Sequence, residues 1–234
     1  MESSVEQKSS KPRPVLHGLK LASFETTKGI TSTTSSAGLD AYISKHVMGG
    51  LPFLGNFIEF GCSDGIRNSN TYRFEQWGWV IGLCIEPDPL EYEKAKKVRS
   101  FAINGIVAPK RDFTFAYGPC LGQGSGIMEM WSPRYKEKYG DCKRKRPSEL
   151  FTKTVPGKPL EDYMADHDMK TVTWISADCE GCETEFIRNF NFTKYDVQLF
   201  NFETNSAVEP HLKELLGILA GHGFKKMYDP GDNP

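Results

Sequence analysis

The sequence predicts an α/β fold, a doubly wound and mostly parallel sheet flanked by helices. Three observations predict it. Short apolar runs of strand length recur at 57–60, 80–85, 101–108, 172–177 and 197–202. Stretches with apolar residues at helical spacing separate them, at 70–77, 89–99, 183–190 and 209–222. Several runs end in Gly-rich or acidic turns, and in an open parallel sheet the crevice beyond the strands' carboxyl ends is where ligands sit.

Residues 1–37 carry Lys11-Pro12-Arg13-Pro14 and a Thr/Ser cluster at 31–36 without sustained periodicity, and read as an N-terminal arm, partly ordered against the domain. From Leu39 to Val47 apolar residues recur at helical spacing until Gly49-Gly50 stops them, giving a leading helix. The strand and helix candidates then alternate, the helix at 183–190 opening on acidic residues and that at 209–222 on Glu209-Pro210. Residues 109–168 break this rhythm. They are rich in Gly, Pro and charge, include Lys143-Arg144-Lys145-Arg146, and read as a long irregular loop or lid inserted into a single domain spanning 38–234.

A chain of 234 residues with 38% hydrophobic side chains can bury a core that needs neither disulfides nor metals. Its 29 basic and 30 acidic residues nearly cancel, so no whole-protein field gathers nucleic acid or an anionic membrane, and nucleic acid is not the expected partner. No apolar stretch approaches the ~18 residues of a membrane span, and residues 1–10, rich in Ser, Glu and Lys, do not resemble a signal peptide. The six cysteines are sparse, and Cys84, Cys179 and Cys182 lie in or beside strand candidates; all six read as thiols of a reducing, cytoplasmic compartment.

The first strand ends in Glu59-Phe60-Gly61-Cys62-Ser63-Asp64-Gly65. This is a G-x-x-x-G turn, distinct from the G-x-G-x-x-G that cradles a dinucleotide pyrophosphate. The second strand ends in Ile85-Glu86-Pro87, with the acid 21 residues after Gly65. A carboxylate there can accept both hydroxyls of a ribose, so the pair suggests an adenosine-containing cofactor. The run 174–183 leads a strand into Asp178, Cys179, Glu180, Cys182 and Glu183, and Glu203 follows the next strand, adjoining Thr204 and Asn205. These carboxylates could bind a divalent cation through oxygen, or orient a hydroxyl substrate without metal, which is the favoured reading. The Cys179-x-x-Cys182 pair could be half a zinc site, but a second close pair is missing, so no metal is expected.

The ordered set Glu59-x-Gly61-x-x-Asp64-Gly65, Ser69-Asn70-Thr71, Gly78-Trp79, Gly82-Leu83-Cys84-Ile85-Glu86-Pro87 and Asp178-x-Glu180-Gly181-x-Glu183 resembles the FkbM family of S-adenosylmethionine-dependent methyltransferases, over roughly 57–205. The resemblance implies a seven-stranded, Rossmann-like class I methyltransferase sheet, with its terminal hairpin either shortened or supplied differently, since the sequence stops soon after Phe224. It also implies methyl transfer to a hydroxyl of a sugar or glycan. By the same resemblance the methionine part of S-adenosylmethionine lies over Gly61, Ser63 and Asp64, with Glu59 in the same motif. Ser69 and Asn70 add polar contacts at its amino acid end, Glu86 takes the ribose and Asn104 falls near adenine.

A sugar hydroxyl needs a base in hydrogen-bond reach as it loses its proton. Asp178, Glu180, Glu203 or His211 could serve, with Asp178 the leading candidate, Glu203 in support and His211 further out. Lys143 to Arg146 could contact phosphates of a nucleotide- or lipid-linked glycan, or RNA, or be solvated. Trp131, Tyr135 and Tyr139 could stack on a sugar or base, although Tyr135 and Tyr139 at i, i+4 could also share one face of a short helix. A nucleic-acid methyltransferase and a non-catalytic cofactor-binding scaffold are the rival readings.

Overall fold

The computed structural model describes residues 13–17, 34–35, 38–44, 55–76, 81–204 and 208–228. The first elements are β1 (Arg13–His17), α1 (Leu39–Tyr42), β2 (Asn56–Phe60), α2 (Tyr72–Gln76), β3 (Ile81–Ile85), α3 (Pro89–Ala95) and β4 (Phe101–Ile103). A middle group follows: β5 (Ile106–Val107), β6 (Asp112–Tyr117), β7 (Gly126–Ile127), α4 (Pro133–Lys145), β8 (Phe151–Lys158) and α5 (Leu160–Asp166). The chain then forms β9 (Thr171–Ala177), α6 (Cys182–Asn189), β10 (Asp196–Phe202), α7 (Leu212–Gly221) and β11 (Phe224–Tyr228). Of the leading helix expected at 39–47, α1 and one further turn at Ile43–Ser44 are described, and the rest lies outside the described residues, as do Gly78-Trp79 and Asn205.

Side chains alternate across the strands, and that alternation places the helices. Phe57 of β2, Trp174 of β9 and Leu199 of β10 share one face with Leu39, Ile43 and Phe74 from the α1 and α2 regions. Their sequence neighbours Ile58, Ile175 and Phe200 point the other way, into the larger cluster with Met164 of α5, Phe186 and Ile187 of α6, and Leu215 and Leu219 of α7. Both faces of the sheet are therefore covered by helices, as a parallel sheet requires.

The sheet's core is the parallel series β10-β9-β2-β3-β4. Of the two expectations for the terminal hairpin, shortened or supplied differently, the described residues show a different edge. β1, from the segment read as an arm, lies between β10 and β11 and is parallel to both. The strand count of seven is thus reached with a strand from the arm. Farther along the arm, Thr34 and Ser35 also dock on the domain. The Thr34 hydroxyl donates to the Ser69 carbonyl at 3.2 Å, and the Ser35 hydroxyl donates to Asp40 Oδ1 at 2.9 Å.

The run expected as one strand at 101–108 divides at Asn104-Gly105. A Cβ on Gly105 would stand 2.3 Å from the Tyr163 hydroxyl, and the chain turns there from the main sheet into a second one. This second sheet, ordered β5-β8-β6-β7, occupies much of the segment expected to be an irregular loop. β6 pairs antiparallel with β8 and β7, burying Phe113 and Phe115, and α4 packs Tyr135, Tyr139 and Cys142 near Trp131. The shared helical face of Tyr135 and Tyr139 is the one the structure shows.

The reading of six thiols is also overturned. Disulfides join Cys62 to Cys84, Cys120 to Cys142 and Cys179 to Cys182. Parallel pairing of β2 with β3 carries Cys62, just past the end of β2, beside Cys84, a proximity the linear spacing conceals.

Candidate functional site

Four strands deliver the site. The carboxyl ends of β3, β2, β9 and β10 lie side by side in the sheet, and beyond them opens a cleft of about 700 Å³ lined by Gly61, Ser63, Glu86, Asp178, Glu180 and Glu203. The β2 turn can pass close to β9 because position 61 has no side chain. Gly61 adopts φ +85°, and a Cβ there would fall 1.6 Å from the Asp178 carbonyl oxygen.

Glu86 is buried at the end of β3 and shapes this wall. Its Oε2 accepts from the Ser63 backbone N–H at 2.7 Å and its Oε1 from the Asp88 N–H at 2.9 Å. Burial pushes its carboxyl up to about 8 against the opposing effect of those two N–H groups. Asn104, expected near adenine, braces the strand end from behind: its Nδ2 donates to the carbonyls of Glu86 and Pro87, and it does not line the cleft.

On the opposite wall the carboxylate oxygens of Asp178, Glu180 and Glu203 all lie within 4.8 Å of one another, an all-oxygen set of the kind hard cations take. Burial, and then the charges of Glu203 and Glu180, hold the Asp178 carboxyl well above the ordinary carboxylate range. Glu183 sets the loop that carries them. Its buried carboxylate accepts from the N–H groups of Cys179 and Gly181 at 2.7 and 2.8 Å, flanking Glu180, whose φ of 60° is left-handed. Burial raises Glu183 to about 8. Its structural part was missed from sequence, although a Glu in the first turn of a helix reaching back to preceding N–H groups is a recurrent capping pattern. Tyr135, weighed from sequence as a stacking group or as part of a helix face, also reaches the acid cluster. Burial and its hydrogen bond with Glu180 raise its phenol.

The remaining expected residues serve inside the fold. Glu59, 1% exposed, accepts from the Ser69 hydroxyl and the Thr71 hydroxyl at 2.7 Å each, and from the Asn70 N–H at 2.5 Å. Arg99 closes this network, donating to Glu59, Glu75, Ser69 and Thr71 and to the Gly65 carbonyl. Asn70 Nδ2 donates to Ser176 Oγ at 2.9 Å, and Asp64 Oδ1 accepts from the N–H groups of Ile66 and Arg67. Glu59, Asp64, Ser69 and Asn70 therefore shape the turn behind the cleft rather than line it. His211 lies apart from the other candidates. It sits beside Arg188 of α6, 3.3 Å from the guanidinium, and is not among the cleft's lining residues. Its position at the start of the last helical stretch carried no information about which way that helix faces.

A family model, the methyltransferase FkbM domain, matches residues 59–226, from the end of β2 into β11. The chain belongs to the FkbM methyltransferase family. Comparison with curated proteins and with solved structures returns no match. In this FkbM methyltransferase the matched span takes in the four strand ends that build the cleft, the acid cluster and the second sheet. Among the described residues no helix is long and apolar enough to cross a membrane.

Proposed function

We propose that the protein is an S-adenosylmethionine-dependent O-methyltransferase acting on a hydroxyl of a sugar or glycan. The observation that carries this reading is the placement of Glu86 and the Asp178 cluster on two walls of one cleft. The donor set fits the cofactor. A strand-end carboxylate suits a ribose diol. The acids Glu86, Asp88, Asp178, Glu180 and Glu203 outnumber the bases Arg67 and Lys94, which already pair with Asp64 and Glu91, and a bound sulfonium cation would favour the ionised forms of Glu86 and Asp178 that burial disfavours.

Bound S-adenosylmethionine supplies an electrophilic methyl group. The chain's residues align the acceptor and manage its proton. Glu86 holds the ribose hydroxyls, and Gly61 and Ser63 present backbone to the methionine portion. Asp178 accepts the acceptor's hydroxyl proton on a carboxylate oxygen. Its raised pKa makes it a stronger base than an ordinary aspartate once ionised, and the neighbouring carboxylates of Glu203 and Glu180 stabilise the protonated form. This reading needs no metal. The cytoplasmic placement rested on free thiols, and with the cysteines paired it loses that support.

Calorimetric titration of the full chain with S-adenosylmethionine and S-adenosylhomocysteine, with NAD as control and with and without magnesium, tests the cofactor. Selective binding of the first two, unchanged by magnesium, is expected, followed by methyl transfer in a screen of glycan acceptors. A folded protein that binds neither refutes the reading.

A further inference from the structure

A second cleft, of about 570 Å³, adjoins the first, and the two share Gln123, Glu180 and Glu203. One wall of it is α4. Arg134, Lys138 and Lys145 recur along this helix at intervals of four and seven residues, the spacing of a single face, and all three line the cleft. Tyr135 joins that wall to the acid cluster through its hydrogen bond with Glu180. Arg134, next to Tyr135, begins the basic stripe, and Lys138 continues it ~4.5 Å of helix rise beyond Tyr135. Its ammonium is drawn in toward the cleft floor: at Gly124, a Cβ would stand 3.0 Å from Lys138 Nζ and 3.2 Å from the Tyr135 ring.

The charges along this wall are unequally committed. Lys145 pairs with Asp141 at 2.9 Å, Arg144 also pairs with Asp141, and Arg146 pairs with Glu149. Arg134 and Lys138 form no ion pair among the described residues, although Glu137 and Asp141 share the wall with them. The cleft is therefore acidic where it meets the first cleft, at Glu180 and Glu203, and carries on its α4 wall two cations, Arg134 and Lys138, outside any ion pair among the described residues.

From this we infer that the second cleft receives the methyl acceptor and selects one bearing an anionic group, a phosphate or a carboxylate, bound by Arg134 and Lys138. The hydroxyl to be methylated then lies at the Asp178, Glu180 and Glu203 corner. This inference rests on the methyltransferase reading and narrows its substrate class. The physical reason is orientation: the acid corner repels the anionic end of such an acceptor while the basic stripe attracts it, so only one of the two ways of entering the cleft is favourable. A neutral sugar gains nothing from the basic stripe. Because Arg134 and Lys138 are exposed, their contribution falls as salt rises.

The test uses the full chain saturated with S-adenosylhomocysteine, titrated with glucose, glucuronate, a glucose monophosphate and a short single-stranded RNA at low and high salt. The expected result is that one or both anionic sugars bind about tenfold or more tightly than glucose at low salt, consistent with charge-assisted bonds. Whether the phosphate or the carboxylate leads identifies the source of the charge. The R134Q/K138Q variant should lose that preference while still binding S-adenosylhomocysteine, which shows its fold intact. Equal or absent binding of the three sugars to a chain that binds S-adenosylhomocysteine overturns the inference and leaves the methyltransferase reading standing. Binding of the RNA alone overturns it in favour of a nucleic-acid acceptor. Failure to bind S-adenosylhomocysteine removes both.

Discussion

The backbone N–H of Ser63 donates to Oε2 of Glu86 at 2.7 Å, so the turn after β2 and the acid that ends β3 act as one unit. At a pH above the value of about 8 to which burial raises Glu86, Glu86→Gln retains the volume but removes the charge that Ser63 and a bound ribose would share. Affinity for S-adenosylhomocysteine should fall about 10- to 100-fold, in line with ~1.5–3 kcal/mol for hydrogen bonds to a charged group. Calorimetry reads this directly, and an unchanged affinity refutes the ribose assignment.

Asp178 lies against Glu203 and Glu180, with its backbone packed on Gly61 of the β2 turn. Asp178→Asn should bind S-adenosylhomocysteine within a few fold of the parent while turnover falls ~10²- to 10⁴-fold, the usual contribution of a general base. Turnover unaffected by this substitution would mean the proton leaves by another route. His211→Ala, which alters a contact with Arg188 on the protein's exterior, should leave turnover as it is.

Glu86 and Glu183 titrate near 8 in the folded protein and near 4.5 when exposed. Between those values the folded chain holds protons that the unfolded chain has released. Stability of the ligand-free protein should therefore decline as pH rises from 4.5 towards 8, and this contribution should level off on either side. Urea midpoints across that range would show the slope, and Glu183→Gln should make it shallower. A midpoint that rises with pH over the same window, by way of these groups, would contradict their burial as carboxylic acids.

Arg99 is 0% exposed at its side chain and bonded to Glu59 and Glu75. Removing one partner of a buried pair leaves the other charge without compensation. Arg99→Met should cost ~3–5 kcal/mol in denaturant unfolding. A cost below ~1 kcal/mol, the range of exposed pairs, would mean that water reaches this network.

The strands at the sheet's centre could be read from sequence because each is a short apolar run closed by a Gly-rich turn or an acid. The same rule placed Glu86, Asp178 and Glu203 at strand ends, where the structure has them line the cleft, since a residue's place at a strand's carboxyl end is fixed by its neighbours in the chain. The buried network of Glu59 and Ser69 was not legible because their partner Arg99 lies far along the sequence, and nothing local marks it as buried. The second sheet was obscured differently. Phe113 and Phe115 alternate with the exposed Asp112 and Thr114, but Pro156-Gly157 inside the facing strand suggested a loop, and the charged outer face of α4 outweighed its Tyr135, Tyr139 and Cys142 stripe. Cysteine pairing depends wholly on which segments the fold brings together.

The position of β1 imposes an order of events on synthesis. It is the first of the described strands to leave the ribosome, yet both of its neighbours are among the last, since β10 begins only at Asp196. At ~5–20 residues per second, roughly ten to forty seconds of elongation separate β1 from its first partner. During that interval one side of the growing sheet stays open beside β9. The N-terminal strand then closes it by entering between β10 and β11, which places the completion of the sheet after β11 has been made.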